Sequence, residues 1–135
     1  MPKIVWDQSY SVGVVELDEH HKKLISMINE LHFAMKGDRG QKVVCGIVSD
    51  MLSYARMHFE IEEKYMRQSK YLGVLQHLKE HAVFTKKAEQ LEQRCQSGEF
   101  VVSVEVVWFL SDWLKTHILE ADQKYVSVLQ EKGFR

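Results

Sequence analysis

Apolar residues return every three or four positions along most of the chain, the repeat of a helix that buries one face. The first run is His21, Leu24, Ile28, Leu31 and Met35. Asp18 stands ahead of it as an N-cap, and Gly37-Asp38-Arg39-Gly40 breaks it, which predicts a helix over about 18–36. Val44, Ile47, Met51, Tyr54, His58, Ile61 and Tyr65 mark a second helix over about 41–67, closed by Gln68-Ser69-Lys70 with Gly73 behind. His77, His81, Phe84, Ala88, Leu91 and Cys95 mark a third over about 71–96, ending at Ser97-Gly98. Val102, Val106, Leu110, Trp113, Leu114 and His117 open a fourth, which runs on through Asp122, Tyr125 and Leu129 to about 131. Residues 1–17, with Trp6, Tyr10 and Gly13, lack the repeat and read as an arm laid on the domain. No useful strand alternation and no internal repeat occurs. The expectation is one all-α domain spanning 1–135. Four helices joined by short loops form an up-down-up-down antiparallel bundle, with an N-terminal arm and a short C-terminal helical extension.

Composition narrows the partners. A chain of 135 residues buries a sufficient core as one domain. Eighteen basic and nineteen acidic residues give a net charge of −1, without runs of one sign. Nucleic acid and anionic membranes are therefore not expected partners. No segment nears the ~20 apolar residues of a membrane span, and the start reads as no signal peptide, so a cytoplasmic protein is expected. Cys45 and Cys95 match no metal or redox spacing. They are expected to be reduced, core-facing residues. Pro2 is the only proline, so none interrupts the helices.

The seven histidines change the picture. His21, His58, His77, His81 and His117 each stand in step with the apolar stripe of their helix. Five buried imidazoles each need a polar partner, and a shared metal satisfies them together. Their heights agree as well. His58 lies ~14 Å before the end of its helix, and His77 and His81 ~9 and ~15 Å after the start of theirs, so antiparallel packing brings them level. His21 is early in the first helix and His117 late in the fourth, at the same end. Glu62, four residues after His58, shares its face. Asp122 is five residues after His117, which on a regular helix points it away by ~140°. A break or wide turn between Ile118 and Ala121 is therefore predicted to bring it inward. His20 and His32 fall outside the set and read as rim or solvent-facing residues.

Seven protein ligands are too many for one ion. With octahedral iron, five histidines, two bridging carboxylates and one bridging oxygen fill all but one position of two ions. The vacant position suits a small ligand. Imidazoles outnumber carboxylates, which disfavours high-valent iron and favours a reversible two-electron exchange with dioxygen. Leu24, Phe59, Trp113, Leu114 and Ile118 line this end as a dry pocket, or serve simply as core. Tyr54 and Tyr65 are within reach of the site, or are core residues with solvent-facing hydroxyls. No catalytic acid or base is expected beyond the ligands.

Asp18-Glu19-His20-His21, His58-Phe59 with Glu62-Glu63, His77-x-x-x-His81 and His117-x-x-x-x-Asp122 together resemble the hemerythrin family in its bacterial single-domain form. The resemblance covers nearly the whole chain. It implies that His77, His81 and His117 bind one non-haem iron and that His21 and His58 bind the other, which keeps the open position. Glu62 and Asp122 would bridge the ions alongside an oxo or hydroxo group, with Leu24, Phe59, Trp113, Leu114 and Ile118 around the oxygen pocket. His20 departs from the glutamine usual in bacterial relatives. The implied function is dioxygen carriage, storage or delivery by a monomer, with an oxygen-using or respiratory protein as partner. The alternatives are an oxygen or redox sensor, a di-iron enzyme acting on peroxide or nitric oxide, and a zinc or manganese hydrolase.

Overall fold

The computed structural model describes residues 3–37, 40–98 and 104–135, leaving aside the side chain of Glu105. Pro2, the turn residues Asp38 and Arg39, and the expected helix start at Val102 lie outside them. Helix α1 spans Val15–Lys36, α2 Gln41–Gln68, α3 Val74–Ser97, α4 Val104–Thr116 and α5 Val126–Glu131. Between α4 and α5 the chain makes a π-helical turn, His117–Ala121, then a 3-10 turn, Asp122–Tyr125. The architecture is an all-α four-helix bundle with a short fifth helix. Helix α2 packs against both α1 and α3, and α1 against α4. Gly98 closes α3 in a left-handed conformation, φ 74°, that an L side chain rarely adopts.

Helix α1 begins three residues before the position read from Asp18. The Asp18 carboxylate has another task. It accepts the Val12 N–H at 2.8 Å and the Ser11 hydroxyl at 2.5 Å, tying the arm down where it enters the helix. Further out, Asn29 exchanges two hydrogen bonds with the backbone of Ile4, at 2.8 and 3.1 Å. Helix α3 starts at Val74 rather than near residue 71, because Tyr71 and Gly73 form the turn that precedes it.

The core has two parts. The larger joins Leu24, Ile28, Leu31, Val48, Met51, Leu52, Phe84, Leu91 and Leu110, with Phe59, Leu114 and Ile118. The smaller, of Val12, Val14, Leu17, Met66, Tyr125 and Leu129, closes one end of the bundle with residues from the arm and from α5. The inward histidines lie between the two. His21 follows Leu17 by one turn, Met66 follows Glu62 by one turn, and Tyr125 follows Asp122.

The cysteines are not reduced core residues. Cys45 and Cys95 form a disulfide, with Cα atoms 5.7 Å apart. Spacing along the chain could not show this. The pair arises because α2 and α3 run antiparallel, which sets the start of one beside the end of the other. Among the described residues no helix is long and apolar enough to cross a membrane.

Candidate metal centre

Three helices deliver inward-facing donors to one layer: His21 from α1, His58 and Glu62 from α2, and His77 and His81 from α3. His117 and Asp122 come from the segment that follows α4. All seven are buried, and both carboxylates are fully so. The last pair depends on the π-helical turn. The Asp122 N–H donates to the His117 carbonyl five residues back, and the wider turn swings Asp122 over onto the face of His117.

The carboxylates divide the imidazoles into two sets. Glu62 Oε1 lies 3.0 Å from His77 Nε2 and 2.9 Å from His81 Nε2, while its Oε2 lies 3.1 Å from His58 Nε2 and 3.3 Å from His21 Nε2. Asp122 repeats the pattern. Its Oδ1 lies 2.9 Å from His77 Nε2 and 3.1 Å from His117 Nε2, and its Oδ2 lies 3.1 Å from His21 Nε2. Two metal-competent groups result: Glu62, His77, His81, His117 and Asp122, and His21, His58 and Glu62.

These donors fit cations better than they fit one another. Both Asp122 oxygens are fully buried and lack hydrogen-bond geometry to any protein group, although imidazole nitrogens lie within 3.1 Å. His77 and His117 bring two Nε2 atoms to 3.1 Å. Adjacent ligands around an octahedral ion with bonds of about 2.1 Å sit about 3.0 Å apart, as these atoms do. Unpaired lone pairs pointing at a common centre are what a cation relieves.

Without a cation, protons hold the cluster together. Burial disfavours a charged His21 or His77, but the Asp122 and Glu62 carboxylates against the rings outweigh it and raise the two to about 9 and about 10. Burial pushes Asp122 and Glu62 up, yet the surrounding imidazoles hold both well below the ordinary carboxylate range. His58 goes the other way, since desolvation dominates and favours the neutral ring.

A second layer of contacts orients the donors. His81 Nδ1–H donates to Glu63 Oε2 at 2.8 Å. The Tyr125 hydroxyl, fully buried, donates to Glu62 Oε2 at 3.0 Å. His58 Nδ1 meets His20 Nδ1 at 2.9 Å. His20 is thus buried and bonded, which corrects its reading as a rim or solvent-facing residue. It lies about 100° from His21 around α1, but α2 covers that flank as well. Only an interhelical contact reveals this. His32, by contrast, is half-buried. Tyr54 stacks edge-on against His20, and the Tyr65 hydroxyl donates to Glu16 at 2.7 Å, so neither tyrosine bonds a member of the cluster. Tyr125 does. Its position three residues after Asp122 was the available sequence signal.

Apolar side chains wall the cluster. Phe59 stacks on His81 at 3.9 Å between ring centroids, and Trp113 stacks on His117 at 4.4 Å. Leu24, Leu114 and Ile118 are buried in the same core.

The model of the hemerythrin HHE cation-binding domain matches residues 12–129. A bacteriohemerythrin of Pseudomonas aeruginosa (strain LESB58) is 31% identical over 130 residues, covering 96% of this chain and 84% of the relative. One from Stenotrophomonas maltophilia (strain R551-3) is 32% identical over 125 residues, covering 93% and 80%. A solved wild-type hemerythrin superposes with a TM-score of 0.86 at 27% identity, covering 95% of this chain and 98% of that one. With the family's domain matched over most of its length and a buried cluster of imidazoles and carboxylates at its centre, this chain belongs to the hemerythrin family and is a non-haem iron-binding domain.

Proposed function

We propose that the protein binds dioxygen reversibly at a pair of iron ions joined by Glu62, Asp122 and an oxygen bridge, and that it carries, stores or delivers dioxygen without catalysing a reaction. The observation that carries this reading is the division of the donors, in which each carboxylate turns one oxygen to either set of imidazoles. When bound, such a pair supplies a reversible two-electron exchange with dioxygen.

The chain's own residues do the rest. His77, His81 and His117 would hold one ion with three imidazoles, and His21 and His58 would hold the other with two, one imidazole fewer. Glu62 and Asp122 span both sides. Five neutral imidazoles against two carboxylates keep the added negative charge low, which favours the reduced, ligand-binding state over high oxidation states. Phe59 and Trp113, stacked on His81 and His117, wall the cluster together with buried Leu114, Ile118 and Leu24 and exclude water from it. The Tyr125 hydroxyl is committed to Glu62, and the His81 Nδ1 proton to Glu63, so both are held by acceptors already. A dry wall with few free proton donors suits capture and release of a small apolar molecule better than turnover. An oxygen-using or respiratory protein would receive what is released.

The test is gas exchange. Ferrous protein should take up dioxygen in proportion to its paired iron and give it back under vacuum, over repeated cycles. Oxidation to completion within one cycle defeats the carrier reading. Steady-state turnover of peroxide or nitric oxide favours an enzyme instead, and oxygen-dependent capture of a signalling partner favours a sensor.

A further inference from the structure

The two sets of donors are backed by different chemistry. On the three-histidine side, the His81 Nδ1 proton goes to a carboxylate, Glu63, at 2.8 Å. On the two-histidine side, His58 Nδ1 faces another imidazole, His20 Nδ1, at 2.9 Å, and both rings are buried. Two Nδ1 atoms at that distance share one proton, with one ring donating and the other accepting.

The partner of His58 Nε2 decides the direction. Nε2 points at Glu62 Oε2, 3.1 Å away, within the smaller metal-competent group. A neutral imidazole that gives its Nε2 lone pair to a cation keeps its proton on Nδ1. His58 must then donate, His20 must accept at Nδ1, and the His20 proton sits on Nε2. The T-shaped contacts of the His20 ring with His58, at 5.1 Å, and with Tyr54, at 5.9 Å, hold it in that position.

We propose that His20 is a positioning residue for the two-histidine side of the centre: its Nδ1 accepts the His58 Nδ1 proton, fixing the tautomer and ring orientation that turn His58 Nε2 to the metal. This rests on the metal-centre reading above. One consequence is an asymmetry between the sides. Glu63 lends negative charge to His81, whereas a His20 that accepts at Nδ1 is neutral and lends none to His58. The two-histidine side is therefore the more electron-poor of the two and the more dependent on its outer partner.

Two measurements test this. In 15N-labelled protein loaded with zinc as a diamagnetic probe, a 15N–15N coupling across the hydrogen bond should link His58 Nδ1 and His20 Nδ1, with the proton on His58. A proton located on His20 Nδ1, or a His58 N–H that exchanges freely with water, overturns the proposal. In zinc and ferrous titrations, His20→Leu should leave the first ion bound as in wild type and weaken the second 10–100-fold. His20→Gln, which keeps a neutral acceptor, should restore most of that loss. Equal second-ion affinity in wild type and His20→Leu overturns the positioning role, as does equal loss in both variants. A wild-type chain that binds fewer than two ions instead overturns the metal-centre reading, and this inference with it.

Discussion

Reduction of the Cys45–Cys95 disulfide should separate the stability of the bundle from the chemistry of its centre. The bond closes a loop of 50 residues between α2 and α3. Cross-linking a chain over that separation removes unfolded-state entropy worth about 4 kcal/mol. His58, Glu62, His77 and His81 all lie inside the closed loop. The bond itself is remote from them: Cys45 precedes His58 by about 20 Å of helix, and Cys95 follows His81 by about 21 Å. Reduction should therefore lower global stability while leaving the donor layer as it is. With a urea dependence of about 2 kcal/mol per molar, the unfolding midpoint should fall by about 2 M. The assay compares urea unfolding of metal-free protein before and after reduction and alkylation, followed by far-UV circular dichroism, and measures the metal content of both forms after reloading. Two reactive thiols in the native protein as isolated, or a midpoint unmoved by reduction, would refute the reasoning. So would a loss of bound metal on reduction in protein that stays folded, because about 20 Å of helix separates the bond from the donors.

Three other perturbations probe the centre itself. Leu114→Tyr places bulk and a hydroxyl in the buried wall, at a cost of about 1–3 kcal/mol from overpacking. Both ions should stay bound while the rate of autoxidation changes, and an unchanged rate would remove Leu114 from the pocket. Tyr125→Phe keeps the ring but removes the donor to Glu62 Oε2, which should cost about 1.5–3 kcal/mol in urea unfolding of the metal-free protein with the fold retained. A neutral result would mean that Glu62 does not need that bond. The pH dependence should run in opposite directions with and without metal. His21 and His77 are raised to about 9 and about 10 in the metal-free fold, burial being outweighed by the Asp122 and Glu62 carboxylates beside them. Their stabilisation is complete below the ordinary histidine range and is lost as pH rises through those values. Metal binding needs the same rings deprotonated, so metal affinity should rise over that interval. Urea midpoints and zinc affinities at pH 6 and pH 10 check both directions, and a metal-free protein that gains stability on going to pH 10 contradicts the assignment.

Much of the centre was legible because helical spacing converts directly into direction. His21, His58, His77, His81 and His117 fall on apolar stripes, and the stripes must face one another to leave water. The five-residue step from His117 to Asp122 implied a wide turn on geometry alone, and a π-helical turn occupies that step. Helix ends were less legible. Asp18 has the chemistry of an N-cap, but its carboxylate serves the arm at Ser11 and Val12, so α1 starts earlier.

What the sequence determined by itself was the set of inward-facing donors and the end of the bundle where they meet, since both follow from the period of one helix and the antiparallel run of four. What the tertiary structure alone decided were the partners across helices: His20 on His58, Glu63 on His81, Tyr125 on Glu62 and Cys45 on Cys95. The period says which way a side chain leaves its own helix. How far it stands from a side chain of another helix depends on the separation, rotation and axial shift of the pair, and these are set by packing of the whole core.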